Sequence, residues 1–161
     1  MPLEVGYSWT YVVSSARRNL GTEKISVVEE LKPLFEKDTY RRFKVREPEA
    51  TAVWSEDRRT VVRTAGRTYV TVLQHPPFIG SGWTDTSPDG SPIYCTVLRR
   101  EVVSTPAGDF LDCVVVRREA ADLSSIVTQW FAADTGLVRW RVERPNAAAV
   151  EWRLLEYTTG E

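Results

Sequence analysis

The chain holds few of the residues that most metal sites and catalytic centres use. Its 161 residues include one histidine, two cysteines and one methionine. A structural zinc site of the usual kind needs more cysteine and histidine ligands than this. Any serine–histidine or cysteine–histidine mechanism has to pass through His75. Because His75 stands directly before two prolines, we interpret it as a loop or strand-end residue and predict no catalytic residue.

Long hydrophobic runs and an excess of one charge are also missing. No apolar run approaches the roughly 20 residues of a transmembrane helix. The 21 basic and 22 acidic residues leave a net charge of −1, so no overall field attracts nucleic acid or an anionic membrane. We therefore predict no transmembrane segment, no nucleic-acid partner, no cofactor and no metal site. A carboxylate-only calcium site at Asp85 and Asp89 matches no EF-hand spacing.

The start of the chain carries no pattern of a secretory leader, with neither a basic region nor a small-residue cleavage site. We expect a cytoplasmic protein if the chain starts natively at Met1. If a leader was removed, we expect the cell envelope or periplasm. The sequence leaves the compartment open.

The hydrophobic residues that are present recur mostly at every second position, which is the period of a half-buried strand. Runs of this kind or of β-branched residues cover positions 7–13, 23–27, 43–45, 52–55, 60–65, 68–74, 93–104, 110–119, 125–132, 137–143 and 149–157. They predict one all-β domain over residues 1–161. Its expected form is a curled antiparallel meander of about ten strands, as a half-barrel or a barrel. We expect at most one short helix, over residues 29–37.

One long segment breaks this rhythm. Residues 75–92 contain four prolines and three glycines, and they predict a long irregular loop within the domain. The loop is not purely polar, because Phe78, Ile79 and Trp83 lie in it. It is expected to cover the sheet as a lid or to serve as an interaction element.

Two features of the sequence, an Asp-Thr-Gly tripeptide and the cysteine pair, are explained by tight turns between strands. Asp134-Thr135-Gly136 is the tripeptide of aspartic proteases, but it stands between two alternating runs and predicts a hairpin turn. A hairpin centred near Ala107 places Cys113 opposite Glu101. Cys95 then lies on the order of 20 Å further along, beyond the roughly 7 Å Cα separation of a disulfide. We predict two free, buried thiols.

Arginine occurs in five adjacent pairs, beginning with Arg17-Arg18 and ending with Arg117-Arg118. Neighbours on a strand point to opposite faces, so one pair cannot form one basic patch. Acidic residues such as Glu101 and Glu119 stand beside the pairs. We predict cross-strand ion pairs.

Several turn and strand segments carry a resemblance. They are residues 6–11 (GYSWTY), 105–110 (TPAGDF), 112–114 (DCV), 130–132 (WFA), 135–138 (TGLV) and 154–157 (LLEY). With these segments the chain resembles poorly characterised bacterial exported all-β proteins. That group is similar in architecture to lipoprotein-carrier half-barrels. The resemblance implies a curled sheet, a location in the cell envelope and a lipid-like ligand.

The aromatic residues suggest what such a sheet does. The chain has six tryptophans, and Trp130-Phe131 place apolar groups on both faces of one strand. An apolar face needs a cover, which is a closed barrel, a ligand or a partner protein. We predict a non-catalytic binding or carrier module for an apolar or lipid-like ligand. The residues predicted to bind it are Trp9, Tyr11, Trp54, Phe78, Ile79 and Trp83. The alternative is a structural or assembly subunit that docks a partner protein through its apolar sheet face.

Overall fold

The computed structural model describes residues 3–159, and all twelve strands in that range belong to one antiparallel sheet. The strands are β1 (Ser8–Ser15), β2 (Arg18–Leu31), β3 (Arg41–Arg46), β4 (Thr51–Glu56), β5 (Thr60–Ala65), β6 (Thr68–Gln74), β7 (Gly82–Thr86), β8 (Pro92–Thr105), β9 (Gly108–Ala120), β10 (Ile126–Ala132), β11 (Gly136–Glu143) and β12 (Val150–Thr158). No helix occurs between residues 3 and 159. The predicted all-β meander is therefore confirmed.

The first and last strands meet in the middle of the sheet. The order is β6-β5-β4-β3-β2-β1-β12-β11-β10-β9-β8-β7, so β6 and β7 form the two edges. The sheet curls until these edges approach each other, which gives a nearly closed barrel. Its concave face holds the core, and alternate residues of each strand point outward.

The helix predicted over residues 29–37 does not form. Strand β2 continues to Leu31, with Glu29 opposite Lys44 and Glu30 opposite Phe43 of β3. Pairing with β3 supplies the backbone partners that a helix would have had to provide internally. Residues 32–40 form an irregular connection that contains Pro33.

The long loop predicted over residues 75–92 is divided by strand β7. Residues 82–86 pair with β8, placing Trp83 opposite Cys95 and Asp85 opposite Ile93. Only residues 75–81 and 87–91 lie outside strands. The sequence pattern concealed β7 because Asp85, a carboxylate, occupies a buried position where an apolar residue was expected.

The hairpin between β8 and β9 has the predicted register. Cys113 lies opposite Glu101, and Cys95 lies opposite Arg118. Both cysteines are buried and free, as predicted. Burial raises the pKa of each thiol to about 11, so both stay protonated at neutral pH.

Two buried aromatic residues of β1 join the halves of the barrel. The Trp9 indole N–H donates to the carbonyl of Thr135 over 2.7 Å. The Tyr11 hydroxyl donates to the carbonyl of Leu137 over 2.8 Å. Thr135 belongs to the predicted Asp-Thr-Gly turn, where Asp134 has a φ of 59°. The turn connects β10 to β11 and supplies a backbone acceptor in the core.

Side chains take the place of a backbone ladder where β6 faces β7. The buried Asp85 carboxylate accepts from the Thr71 N–H over 3.1 Å and from Arg118 over 2.8 Å. Arg118 also donates to the carbonyls of Thr71 and Val72. We call Asp85, Arg118 and the Thr71 backbone the clasp. Because buried polar groups need partners, these contacts hold the two edges at a fixed distance.

The outward-facing Trp130 has its own cover. Its ring is buried, and the Arg139 guanidinium lies 4.4 Å from the ring centroid. Trp130 also donates its indole N–H to Glu101, which is paired with Arg99. The arginine stems and this ion pair, which lies within β8, shield this part of the outer face. The predicted cross-strand ion pairs occur elsewhere, as between Arg100 of β8 and Asp112 of β9.

Candidate functional site

A cavity of about 260 Å³ opens on the concave face of the barrel. Its lining residues come from β2, β4, β5, β6, β9, β10 and β11 and from the turn between β3 and β4. Its walls are formed by apolar side chains and by a smaller set of charged and amide groups: Glu23, Ile25, Glu47, Pro48, Trp54, Arg63, Val70, Val72, Arg118, Gln129, Leu137 and Trp140. We call this space the concave cavity. A mostly apolar wall with a few polar groups is typical of small-molecule sites, although such sites are commonly larger, roughly 300–1,000 Å³.

Aromatic rings form one wall of the concave cavity. Trp140 lines it and stacks on Trp152, with ring centroids 4.8 Å apart and planes 9° apart. Tyr11 meets Trp140 edge-on at 4.6 Å. The three rings come from neighbouring strands of the sheet, and their mutual packing fixes the orientation of the Trp140 indole.

An ion pair forms the opposite wall. The Arg63 side chain donates from Nε to Glu47 over 2.7 Å and makes a second bond to the same carboxylate. The Trp54 indole N–H donates to Glu47 over 3.0 Å. The bonds to Glu47 raise the pKa of Arg63. Both charges are satisfied by each other, so they fix the position of Trp54 on the cavity wall.

The clasp reaches into the same space. Arg118 lines the concave cavity and donates from Nε to the side-chain oxygen of Gln129 over 2.9 Å. Its other nitrogens bind Asp85 and the β6 backbone. Arg118 therefore belongs both to the clasp that joins the sheet edges and to the wall of the cavity.

The predicted site residues fall into two groups. Trp54 lines the concave cavity, and Tyr11 lies directly behind Trp140. Trp9 is 2% exposed and fills the core. The concave face is therefore aromatic, as the sequence predicted. The ring that lines the cavity beside Tyr11 is Trp140.

The residues predicted on the loop lie elsewhere. Phe78 is 67% exposed and Ile79 is 62% exposed, and neither lines the concave cavity. Trp83 belongs to β7 and packs against the core, with the Arg118 guanidinium 5.8 Å from its ring centroid. Its indole N–H is buried and has no hydrogen-bond partner among the described residues. The loop therefore does not cover the cavity as a lid.

Trp54 is the one predicted site residue that lines the cavity, although the sequence carried a signal for some of the others. Glu23 shares the alternation of Ile25 and Val27, and Arg118 shares that of Val116 and Val114. A charged residue in phase with buried apolar neighbours points toward the interior. Trp140 was counted among the six tryptophans of the chain but was not among the predicted site residues.

A second depression lies on the outer face. Its volume is about 450 Å³, and apolar side chains from strands β4–β6 meet the 32–40 connection there. The main apolar contributors are Leu34, Val53, Val62 and Tyr69. Leu34 and Tyr69 are exposed, as is Phe35 beside them. We call this depression the outer groove.

Residues 3–159 contain neither a candidate metal site nor a candidate membrane-spanning helix. No cluster of three or more histidine, cysteine, aspartate or glutamate side chains is arranged to hold a metal ion in this range. The same part of the chain contains no helix long and apolar enough to cross a membrane.

Comparison with known proteins identifies the fold. No protein-family model matches the chain, and no curated protein matches it. A candidate exported protein with a YmcC-like fold from Bacteroides fragilis has a TM-score of 0.64 at 12% identity, over 98% of each chain. A candidate lipoprotein from Parabacteroides distasonis has a TM-score of 0.62 at 11% identity, over 98% of this chain and 97% of that one. The chain is thus similar in fold to poorly characterised bacterial exported all-β proteins, as its sequence predicted.

Proposed function

We propose that this protein is a non-catalytic binding module that holds a small apolar or lipid-like ligand in the concave cavity. The observation that carries the proposal is an apolar space of about 260 Å³ bordered by Trp54 and Trp140. Burial of apolar surface drives such binding, at about 25 cal/mol per Å² removed from water. The small volume favours a short chain or the end of a longer one.

The groups around the cavity support binding more than chemistry. Glu47 and Arg63 neutralise each other, and Arg118 is engaged by Asp85. The Cys95 thiol beside Asp85 is held protonated by its raised pKa. A general base or nucleophile has to be free to exchange a proton with a substrate, whereas these groups are bound within the wall.

The test is a calorimetric titration of the delipidated full chain with hexan-1-ol, a neutral apolar probe of suitable size. We expect saturable binding at one site. Val70→Phe, which places a ring in the concave cavity, is expected to weaken it at least about tenfold. Leu111→Phe changes an exposed residue of β9 outside the cavity and serves as the matched control.

Two results contradict the proposal. One is an absence of saturable binding by a folded protein. The other is binding that Val70→Phe and Leu111→Phe affect equally, because that would place the probe outside the cavity. Native mass spectrometry of protein purified from its own host then identifies the natural ligand by mass.

A second candidate function rests on the outer groove. Its exposed Leu34 and Tyr69, with Phe35 next to Leu34 in the chain, offer apolar side chains of the kind that dock a partner protein. For this role we expect Leu34→Ser with Phe35→Ser to abolish association with the partner in affinity purification. Leu111→Ser removes an equally exposed leucine elsewhere and is expected to leave it unchanged. Equal recovery with both variants contradicts the docking role.

A further inference from the structure

The charges on the wall of the concave cavity do not balance. Glu47 is paired with Arg63, and Arg118 with Asp85 behind the wall. Glu23 makes no ion pair among residues 3–159. Its carboxylate accepts a hydrogen bond from the Trp152 indole N–H over 2.8 Å. Counting the groups on the wall with their partners leaves one negative charge, on Glu23.

Glu23 lies beside the aromatic wall. It is opposite Tyr11 in the β1–β2 ladder, and Tyr11 packs against Trp140. The same carboxylate is tied to Trp152, the ring that stacks on Trp140. The Glu23 carboxylate and the Trp140 ring therefore border a common space.

This combination favours a positive charge. An indole ring attracts a cation to its face because of the negative potential there, and the attraction is strongest for tryptophan. A nearby carboxylate adds a direct Coulomb attraction, which is stronger in a half-buried site than in water. A ligand with a carboxylate head would be repelled by Glu23 and would find no free arginine, since the arginines of the wall are already neutralised.

On the basis of the proposed function, we infer that the ligand is a small amphiphile with a cationic head, an amine or a quaternary ammonium group. Its head binds between Glu23 and Trp140, and its apolar part lies against Trp54, Val70 and Leu137. The inference deepens the proposed function by assigning the ligand's charge.

The test compares three six-carbon probes on the delipidated full chain at neutral pH: hexyltrimethylammonium, hexan-1-ol and hexanoate. We expect the ammonium probe to bind at least about tenfold more tightly than hexan-1-ol, and hexanoate to bind most weakly. Glu23→Gln is expected to remove the advantage of the ammonium probe over hexan-1-ol. The glutamine side chain still accepts a hydrogen bond from Trp152, so the fold is retained.

Glu119→Gln is the matched control, because Glu119 is an acid on the outer face of β9, paired with Arg117. It removes one negative charge, as Glu23→Gln does, without touching the cavity. An equal loss in both variants shows that general electrostatics bind the probe, and it overturns the inference.

The remaining outcomes separate the two proposals. If hexan-1-ol binds as tightly as the ammonium probe, or hexanoate binds most tightly, the cationic assignment is wrong and the binding function stands. Tightest binding of hexanoate would mean that Arg63 or Arg118 binds its carboxylate. If no probe binds to the folded protein, the binding function itself fails.

Discussion

The two ends of strand β3 present similar charged groups in different settings. At the start of β3, Arg41 binds Glu4 at 2.9 Å, Glu30 at 3.1 Å and Glu56 at 3.6 Å, and its guanidinium lies 4.8 Å from the Phe43 ring centroid. At the end of β3, Glu47 binds Arg63 beside Trp54. Both regions combine arginine, glutamate and an aromatic ring.

What differs is the space beside them. Near Arg41 the N-terminal segment closes the barrel, because Leu3 is 1% exposed and belongs to the core. We call this the closed end. Near Glu47 none of residues 3–159 fills the interior, and the concave cavity remains. The comparison teaches that ion pairs around an aromatic ring do not by themselves mark a binding site, whereas unfilled apolar volume does.

The largest expected effect comes from breaking the clasp, which borders the cavity. Asp85→Ala leaves Arg118 buried without its counter-charge and the Thr71 N–H without its acceptor. Removing one partner of a buried pair costs about 3–5 kcal/mol of unfolding free energy. The measurement is urea denaturation followed by circular dichroism.

Glu119→Ala is the control for this variant, since it breaks the exposed pair with Arg117. Such pairs contribute about 0–1 kcal/mol. Equal losses for Asp85→Ala and Glu119→Ala would mean that other contacts hold β6 against β7.

A smaller effect distinguishes the two ends directly. Val61 is 1% exposed and lies opposite Glu56 near the closed end, while Val70 borders the concave cavity. Val61→Phe overpacks a filled core and is expected to cost about 1–3 kcal/mol. Val70→Phe enters vacant space, so its cost is expected to stay below about 1 kcal/mol. Urea denaturation of both variants makes the comparison, and a reversed order would show that the closed end holds the vacant volume.

The smallest effect is a pH dependence at the closed end. The hydrogen bond from Arg41 holds the pKa of Glu4 below its ordinary value of 4.5. The stabilisation is therefore complete above pH 4.5 and is lost as the pH falls through the lower pKa of the folded state. Glu4→Gln is expected to flatten the stability profile in that acid range by less than about 1 kcal/mol, since the pair is half-exposed. Melting temperatures between pH 3 and 6 test this, and an unchanged profile would contradict it.

Local pattern predicted the fold well because hairpins are short-range. Alternation and turn residues located eleven of the strands, and the distance argument placed Cys113 opposite Glu101. The pattern failed where tertiary contacts override it. Asp85 hid β7 because its partner Arg118 lies 33 positions away, and β3 held residues 29–31 in a strand.

The site was harder to predict than the fold, since a cavity depends on which strands face each other across the barrel. Trp54 was identified because it is aromatic and in phase with the core. Glu23 and Arg118 were not among the predicted site residues, although their phase already placed them inside. Phe78 and Ile79 were included as apolar residues of a loop expected to cover the sheet, and the structure leaves both exposed.

The pairing of β1 with β12 affects how the chain acquires its fold. The ladder joins residues as distant as Ser8 and Thr158, 150 positions apart. Each half of the chain forms its own six-stranded meander from local hairpins, and one edge of β1 stays unpaired until β12 has been synthesised. Such long-range pairing slows folding, and an open strand edge can pair with another molecule meanwhile. The step that joins the two halves is thus the point at which this protein is most exposed to aggregation.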